Sequence, residues 1–264
     1  MTDSTAPRPA DPADLGRLFA DIVEEASELI LPFWRAQVAV ERKADESPVT
    51  AADHAAEALI LERLRKQFPR VPVLAEEEVC RDGAPAKAPG LFLLVDPLDG
   101  TKGFIRGTEA FTVNIGLVEN GRPVAGAVAA PASGQVWFTA DGGAFRRRFG
   151  ETTATQIRVR EKPAGRGVAL LSHTVAEDEA DRIAAKYGCA TWQAMDSSVK
   201  FCMIAEGRAD IYPRPGRTME WDTAAAQAVL EAAGGRVITD TGEALAYGKA
   251  DAGFANPGFL AVGG

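Results

Sequence analysis

The chain has 264 residues, of which 46% are hydrophobic, and a formal net charge of −8, so it can bury a large core as one unit or as two closely packed halves. The acidic balance argues against a broad nucleic-acid or anionic-membrane surface, and no apolar run approaches the roughly 18 residues of a membrane span. Three cysteines without a Cys-x-x-Cys pair are typical of a reducing cytoplasm, and two histidines do not support a histidine-rich zinc centre.

The first half of the chain combines helical patterns with a series of strands. Residues 1–12 are polar and proline-rich, which predicts a disordered leader and not a signal peptide. A 3.6-residue hydrophobic period predicts a helix over residues 15–33, and a second helix begins around Thr50, which has the capping-box spacing to Asp53. Strands are predicted at residues 91–95, 111–118, 124–130, 135–139 and 144–148, with hairpin turns at Asn120-Gly121 and Asp141-Gly142-Gly143.

After about Thr153 strands and helices alternate. The predicted strands are residues 168–172, 209–212 and 236–239, and the predicted helices are residues 177–187, 197–206 and 222–233. We therefore expect an α+β half with an antiparallel sheet over residues 13–152 and an α/β half over residues 153–264. The first half holds most of the acidic residues that are candidate metal ligands.

Two aspartates directly follow the apolar strand at residues 91–95, in the segment Asp96-Pro97-Leu98-Asp99-Gly100-Thr101-Lys102. The proline fixes φ between them, so both carboxylates point from a turn into one small volume. Such a pair suits a hard cation, because Mg²⁺ is held by carboxylates together with substrate phosphate oxygens. An ordinary Asp-Gly turn is the alternative interpretation.

Three further acidic positions could join this pair. Glu76-Glu77-Glu78 leaves the end of a short apolar stretch at residues 71–74, and Asp222 lies at the predicted start of a helix. Asp53 lies in the second helix. Each position also has a local explanation. The glutamate run could be a solvated loop, Asp222 a first-turn acid favoured by the helix dipole, and Asp53 part of a capping box.

Six segments occur together in this order: Ser47-Pro48-Val49-Thr50-Ala51-Ala52-Asp53, Val73-Leu74-Ala75-Glu76-Glu77, Leu94-Val95-Asp96-Pro97-Leu98-Asp99-Gly100-Thr101-Lys102, Phe111-Thr112-Val113-Asn114-Ile115, Ser197-Ser198-Val199-Lys200-Phe201-Cys202 and Trp221-Asp222-Thr223-Ala224-Ala225. Together they resemble the inositol monophosphatase superfamily of Mg²⁺-dependent, Li⁺-sensitive phosphatases. Lys102 and the Ser-Ser-x-Lys-Phe-Cys segment make the chain most like the bacterial CysQ-type branch, the 3′(2′),5′-bisphosphate nucleotidases. The resemblance covers residues 15–259.

The resemblance implies a layered α-β-α-β-α sandwich of the sugar-phosphatase type, with its site at the seam between the two halves. It implies that Glu76, Asp96 and the backbone carbonyl of Leu98 hold a first Mg²⁺. It also implies that Asp96, Asp99 and Asp222 hold a second. Paired metals of this kind can activate water and neutralise a phosphoryl group.

The same resemblance assigns the catalytic and phosphate-binding groups. Thr101, linked to Asp53, would orient and help deprotonate the attacking water. A third, weaker ion would rest on Glu76 and Asp53, largely through water. The backbone amides of Gly100 and Thr101 would bind phosphate oxygens, since a turn that opens toward a helix makes an anion-binding nest.

Specificity is expected to come from the second half of the chain. By resemblance, Ser197 and Lys200, three apart on one helical turn, and Arg214 would bind the nucleotide and its second phosphate, with Lys102 also facing phosphate. The alternative is that these polar side chains simply face solvent. His173 is left outside the predicted site. The implied reaction is hydrolysis of the 3′-phosphate of adenosine 3′,5′-bisphosphate to AMP, which clears a by-product of sulfate assimilation.

Several alternatives stay open at this point. Asp96-x-x-Asp99-Gly100-Thr101 superficially resembles the nucleophile motif of haloacid-dehalogenase-type phosphatases, although its spacing differs by one residue. A non-catalytic metabolite-binding protein is a second alternative. Within the phosphatases, inositol-1-phosphate, fructose-1,6-bisphosphate and histidinol phosphate are alternative substrates, and a homodimer is compatible with the sequence. Ala75 also departs from the small polar residue or glycine that often precedes the first metal-binding glutamate.

Overall fold

The computed structural model describes residues 12–36, 40–42 and 48–264 of the chain. The predicted leader therefore lies outside the described residues, except for Pro12, which begins the first helix. None of the described helices combines the length and the apolar character needed to cross a membrane.

The described residues form seven α-helices and sixteen strands. The helices are α1 (Pro12–Arg35), α2 (Ala51–Gln67), α3 (Glu76–Asp82), α4 (Thr101–Ile105), α5 (Glu177–Lys186), α6 (Val199–Ala205) and α7 (Ala224–Ala232). The strands are β1 (Val40–Arg42), β2 (Pro48–Thr50), β3 (Val73–Ala75), β4 (Leu91–Asp99), β5 (Thr112–Glu119), β6 (Arg122–Ala130), β7 (Gln135–Ala140), β8 (Gly143–Arg148), β9 (Thr155–Ile157), β10 (Gly167–Leu171), β11 (Cys189–Ala194), β12 (Ile211–Arg214), β13 (Thr218–Met219), β14 (Arg236–Thr239), β15 (Ala255–Asn256) and β16 (Phe259–Val262).

The larger sheet has seven strands in the order β3-β4-β5-β6-β7-β8-β9. Every neighbouring pair is antiparallel except β3 and β4. Both predicted hairpin turns are confirmed. Asn120 and Gly121 have φ values of 50° and 78°, and Asp141 and Gly142 have values of 49° and 70°, as expected for two-residue turns whose twist matches that of the strands.

The second sheet has five strands in the order β11-β10-β12-β16-β14. Two of them, β11 and β16, are not among the predicted strands. β11 is an edge strand that is mostly exposed, and β16 is only four residues long, so neither has a strong hydrophobic pattern. β16 pairs antiparallel with both β12 and β14, which places the end of the described chain inside the sheet.

The elements stack in five layers. α1 and α2 cover one face of the larger sheet, and α6 and α7 lie between the two sheets. α5 covers the outer face of the second sheet through β10 and β11. One apolar core lies under α1 and α2, and another surrounds α6 and α7. This confirms the expected α-β-α-β-α sandwich.

Two glycines let α7 approach the larger sheet closely. A Cβ at Gly116 would lie 2.8 Å from the backbone nitrogen of Ala225, and a Cβ at Gly126 would lie 2.5 Å from its carbonyl oxygen. Helix backbone therefore rests directly on the backbone of β5 and β6. Asp222 lies in the turn before α7, so this contact also determines how far that carboxylate stands from the sheet.

We predict that Gly126→Ala lowers the free energy of unfolding by about 1–3 kcal/mol, because the added methyl forces α7 away from the sheet. Urea denaturation measures the change. Gly90→Ala is the matched control, since its Cβ would meet only the Asn120 side chain, at 3.6 Å. Equal midpoints for the two variants would contradict the close approach.

Candidate active site

A cleft of about 610 Å³ opens between the two sheets. One wall is formed by the end of β4, the start of α3 and the turn before α7. The opposite wall is formed by the ends of β10 and β12 and the start of α6. Carboxylates lie on the first wall, and the second carries Lys200 and Arg214 together with Asp196.

The end of β4 turns two carboxylates toward the cleft. Asp96 pairs with Asn114 and Asp99 with Thr112, so β4 has one residue more than β5 between these positions. In a regular strand residues three apart point to opposite faces, and the extra residue brings both aspartates to the same side. The bulge is held by the Leu98 amide, which donates to Asp96 Oδ1 at 3.0 Å.

Two other elements bring the remaining acids. Glu76 is the first residue of α3, directly after β3, the parallel neighbour of β4, so the carboxyl ends of these two strands meet at one edge. Asp222 lies in a turn where its carboxylate accepts the Met219 amide at 2.8 Å. Helix α7 begins only at Ala224, with Thr223 as N-cap, so Asp222 precedes the helix and the predicted start at residue 222 is wrong.

The electrostatics show that these acids share one volume. Burial, followed by repulsion from Glu76, Asp99 and Asp222, raises the pKa of Asp96 well above its ordinary value. Burial and then Asp99 and Glu76 raise the pKa of Asp222 in the same way. The pKa of Asp99 rises to about 6, mainly by burial, and is held down by Lys200 and by a hydrogen bond from Ser198.

The donor set fits a hard divalent cation, since it consists of carboxylates and the carbonyl of Leu98, all oxygen ligands. No three His, Cys, Asp or Glu side chains within the described part of the chain close around a single point as a finished metal shell. Asp99 and Asp222 instead each give one oxygen to a backbone amide, of Ser198 and Met219 respectively.

Thr101 connects the cleft to a buried aspartate. Its hydroxyl lies 3.3 Å from Asp53 Oδ1 and 3.0 Å from the Leu98 carbonyl oxygen. The other oxygen of Asp53 accepts the Thr50 amide and hydroxyl at 2.8 and 2.6 Å, which confirms the predicted capping box. Asp53 is not part of the cleft wall, so it reaches the cleft through Thr101.

Two of the predicted cationic residues, Lys200 and Arg214, lie on the opposite wall. Lys200 is buried, lies 4.7 Å from the centre of the Tyr212 ring and donates to the Met195 carbonyl at 3.1 Å; burial lowers its pKa to about 8. Arg214 ends β12, and its Nε is buried with no hydrogen-bond partner among the described residues. Lys102 also lines the cleft.

One prediction on this wall is wrong in its geometry. Ser197 and Lys200 do not share a helical turn, because α6 begins at Val199 and Ser197 has φ = 57°, in the left-handed region. Both residues nevertheless line the cleft. The αL residue ends the preceding loop and points the chain into the helix.

His173 is a correction to the sequence analysis, because it lines the cleft together with Arg106 and Asp196. Its Nε2 accepts from Arg106 at 2.9 Å, and its Nδ1 contacts Asp196. Since arginine can only donate, the imidazole carries its proton on Nδ1, toward the carboxylate. The sequence signal that could have found these two residues is their position, because His173 follows the end of strand β10 and Asp196 follows the end of strand β11.

A buried polar network joins the two walls. The Ser198 amide donates to Asp99 Oδ2 at 2.5 Å. The Ser198 hydroxyl lies 2.6 Å from Asn114 Oδ1 and 2.8 Å from the Thr112 hydroxyl. The Thr112 hydroxyl also donates to Asp99 Oδ2 at 3.4 Å. The start of α6 is therefore tied directly to a carboxylate of β4.

The profile of the inositol monophosphatase family matches residues 16–262. The chain belongs to the inositol monophosphatase family. The match overturns the haloacid-dehalogenase alternative, and the Asp-Gly-Thr turn here ends a strand of a largely antiparallel sheet.

Named relatives in this family include bacterial nucleotidases. The 3′(2′),5′-bisphosphate nucleotidase CysQ of Salmonella typhimurium LT2 is 42% identical over 222 residues, 83% of this chain and 86% of the relative. The CysQ of Escherichia coli K12 is 40% identical over 225 residues, 82% of this chain and 86% of the relative.

Two solved structures of the inositol monophosphatase family share the fold. CysQ from Bacteroides thetaiotaomicron has a TM-score of 0.76 at 31% identity and covers 95% of this chain and 97% of its own. Inositol monophosphatase from Anabaena has a TM-score of 0.72 at 26% identity and covers 95% and 91%. The fold alone therefore does not select the substrate.

We predict that Mg²⁺ stabilises the wild-type protein, by about 2.7 kcal/mol for each site at a hundredfold excess over the Kd of that site, and that Asp222→Asn loses the share from the site that Asp222 forms, together with catalytic turnover. Asparagine keeps an acceptor for the Met219 amide, so the fold is retained. Thermal unfolding with and without MgCl₂ measures the effect. Asp240→Asn, at an exposed position, is the charge-matched control. A wild-type response to Mg²⁺ in Asp222→Asn would contradict the metal role.

Proposed function

We propose that this chain is a Mg²⁺-dependent phosphomonoesterase that hydrolyses the 3′-phosphate of adenosine 3′,5′-bisphosphate to AMP and inorganic phosphate. The observation that carries the proposal is that buried carboxylates and cationic side chains line one cleft. The acidic wall suits a metal-bound reacting phosphate, and the cationic wall suits a second phosphate. The CysQ relatives support a nucleotide substrate.

In this proposal the acids hold two ions. Glu76, Asp96 and the Leu98 carbonyl would hold the first, and Asp96, Asp99 and Asp222 would hold the second. Bound Mg²⁺ supplies charge neutralisation at the phosphoryl oxygens and acidifies a bound water. The buried, mutually repelling carboxylates of Asp96 and Asp222 support this assignment, because a divalent cation compensates both repulsion and burial.

Thr101 and Asp53 prepare the attacking water. The Thr101 hydroxyl donates to Asp53 and accepts a hydrogen bond from the water. This pair of hydrogen bonds holds the water in line with the phosphorus and draws the proton of the water toward the Asp53 carboxylate. A third, weaker ion on Glu76 and Asp53 would act through water, since Asp53 lies behind Thr101 and not on the cleft wall.

The remaining groups bind the substrate. The backbone amides of Gly100 and Thr101 stand at the start of α4, where Gly100 has φ = 93°, and they donate to oxygens of the reacting phosphate. Lys102, Lys200 and Arg214, with the loop hydroxyl of Ser197, bind the nucleotide and its 5′-phosphate. Cys189 and Cys202 are buried and form no disulfide, which supports action in a reducing cytoplasm, where this hydrolysis would clear a by-product of sulfate assimilation.

A substrate panel with Mg²⁺ tests the proposal. We predict a kcat/KM for adenosine 3′,5′-bisphosphate at least about a hundredfold above that for inositol-1-phosphate or histidinol phosphate, which have only one phosphate, since two charge-assisted contacts to the second phosphate are worth about 3 kcal/mol or more. Fructose-1,6-bisphosphate, which has two phosphates, is the comparison that tests recognition of the nucleoside itself. Phosphate release measures each rate. Faster turnover of inositol-1-phosphate would assign the chain to the inositol phosphatases, and the proposed metal-dependent hydrolysis would be unchanged.

The cationic wall provides the control for this panel. Arg214→Met is expected to raise the KM for adenosine 3′,5′-bisphosphate about tenfold or more, while the KM for 3′-AMP, which lacks the 5′-phosphate, changes little. A parallel rise for both nucleotides would assign Arg214 to the reacting phosphate instead.

We also predict inhibition by Li⁺ that is uncompetitive or noncompetitive toward substrate. Li⁺ is close to Mg²⁺ in size but carries half its charge, so it could occupy the site between Asp96, Asp99 and Asp222 without releasing product phosphate. Initial rates in LiCl are compared with rates in equal NaCl. Identical curves for the two salts would argue against a metal site made by these three carboxylates.

A further inference from the structure

Helix α3 begins without a cap of its own. Its N-cap residue is Ala75, which has extended backbone and no side-chain hydrogen bond to the helix. The first amides of a helix have no intrahelical acceptor and need one from elsewhere. The first residue of this helix is Glu76, whose side chain lines the cleft. The orientation of α3 therefore decides where this carboxylate points.

The missing acceptor comes from another helix. Glu57 of α2 accepts the Glu77 amide at 2.8 Å through Oε2, and it also accepts a backbone hydrogen bond from Glu78. The Glu57 residue is only 4% exposed. Its carboxylate lies between α2 and the first turn of α3, and it supplies the helix cap that Ala75 cannot provide.

Glu57 follows Asp53 by one helical turn, so both side chains leave the same face of α2. Asp53 holds Thr101, and Glu57 holds the start of α3. Both are buried. One face of α2 thus fixes two parts of the cleft that are distant in sequence, the Asp-Gly-Thr turn and the helix that carries Glu76.

Burying this carboxyl is unfavourable in itself. Burial, together with the nearby carboxylates of Glu77 and Glu78, raises the pKa of Glu57 to about 7. An apolar side chain of similar volume would avoid this penalty. What Glu57 provides and an apolar residue would not is a hydrogen-bond acceptor at a defined point below α3.

We propose that Glu57 is a positioning residue for metal binding: it sets the start of α3 and thereby aims Glu76 into the cleft, without contacting metal or substrate. The inference rests on the proposed function in treating Glu76 as a metal ligand. Partners that orient a metal ligand typically change metal affinity about 10- to 100-fold when removed.

The test compares three variants of the full chain. Glu57→Met keeps the volume and removes both acceptor oxygens. Glu57→Gln keeps one acceptor oxygen without the charge. Glu62→Met is the matched control, because Glu62 lies on the exposed face of the same helix. Amide hydrogen exchange of α3 is measured without metal, and Mn²⁺ binding is measured by titration calorimetry.

In Glu57→Met we expect the amides of Glu77 and Glu78 to exchange about tenfold faster, and the Mn²⁺ Kd and the Mg²⁺ activation constant to rise about tenfold or more. The kcat at saturating Mg²⁺ should stay within about threefold of wild type, because Glu57 stands outside the reacting groups. Glu57→Gln should recover most of both losses, and Glu62→Met should match wild type.

Two results would overturn the proposal. Unchanged exchange in α3 would show that Glu57 does not cap the helix, and faster exchange with an unchanged Mn²⁺ Kd would show that the cap does not position Glu76. If Glu57→Met does not fold, Glu57→Asp makes the same test, since its carboxylate is one methylene too short to reach α3. If wild type binds Mn²⁺ in a Glu57-dependent way but does not hydrolyse the bisphosphate, the proposed function fails and this inference stands.

Discussion

The repulsion among buried carboxylates is the constraint on which the rest of this structure depends. Asp96, Asp99 and Asp222 all have raised pKa values because they are buried together. Groups that repel one another remain in one cleft only if each is held by a partner that cannot move away. The partners are backbone amides: Leu98 holds Asp96, Ser198 holds Asp99 and Met219 holds Asp222. Backbone amides serve well because the secondary structure around them sets their positions.

These partners lie on three separate elements, β4, β13 and the residue that caps α6, so the cleft exists only in the assembled sandwich. Ser198, at the start of α6, donates its amide to Asp99 on β4 and its hydroxyl bonds to Asn114 on β5. Buried polar groups of this kind are unfavourable when they lose a partner, which makes the seam specific to one arrangement of the two sheets. The close contact of α7 with Gly116 and Gly126 has the same consequence for Asp222.

The parts of the fold that could be predicted are those specified by local chemistry. The hairpins at Asn120-Gly121 and Asp141-Gly142 depend on residues that tolerate positive φ, and the capping box of α2 depends on a four-residue spacing. The errors lie where pairing partners are distant. β11 and β16 owe their existence to neighbours in the sheet, and the start of α6 is displaced by the left-handed conformation of Ser197.

The sequence by itself determined the chemistry of the cleft, namely which carboxylates, hydroxyl and glycine are close together near residue 100, since these residues act within one short segment. The predicted end of the strand at residue 95 is too early, because β4 continues through a bulge to Asp99 and so contains both aspartates. Only the tertiary structure decided which distant side chains meet them. It brought His173 and Asp196 onto the wall and placed Glu57 under α3. The physical reason is that a hydrogen bond between residues on different elements depends on how those elements pack, and packing is a property of the whole core that no short segment contains.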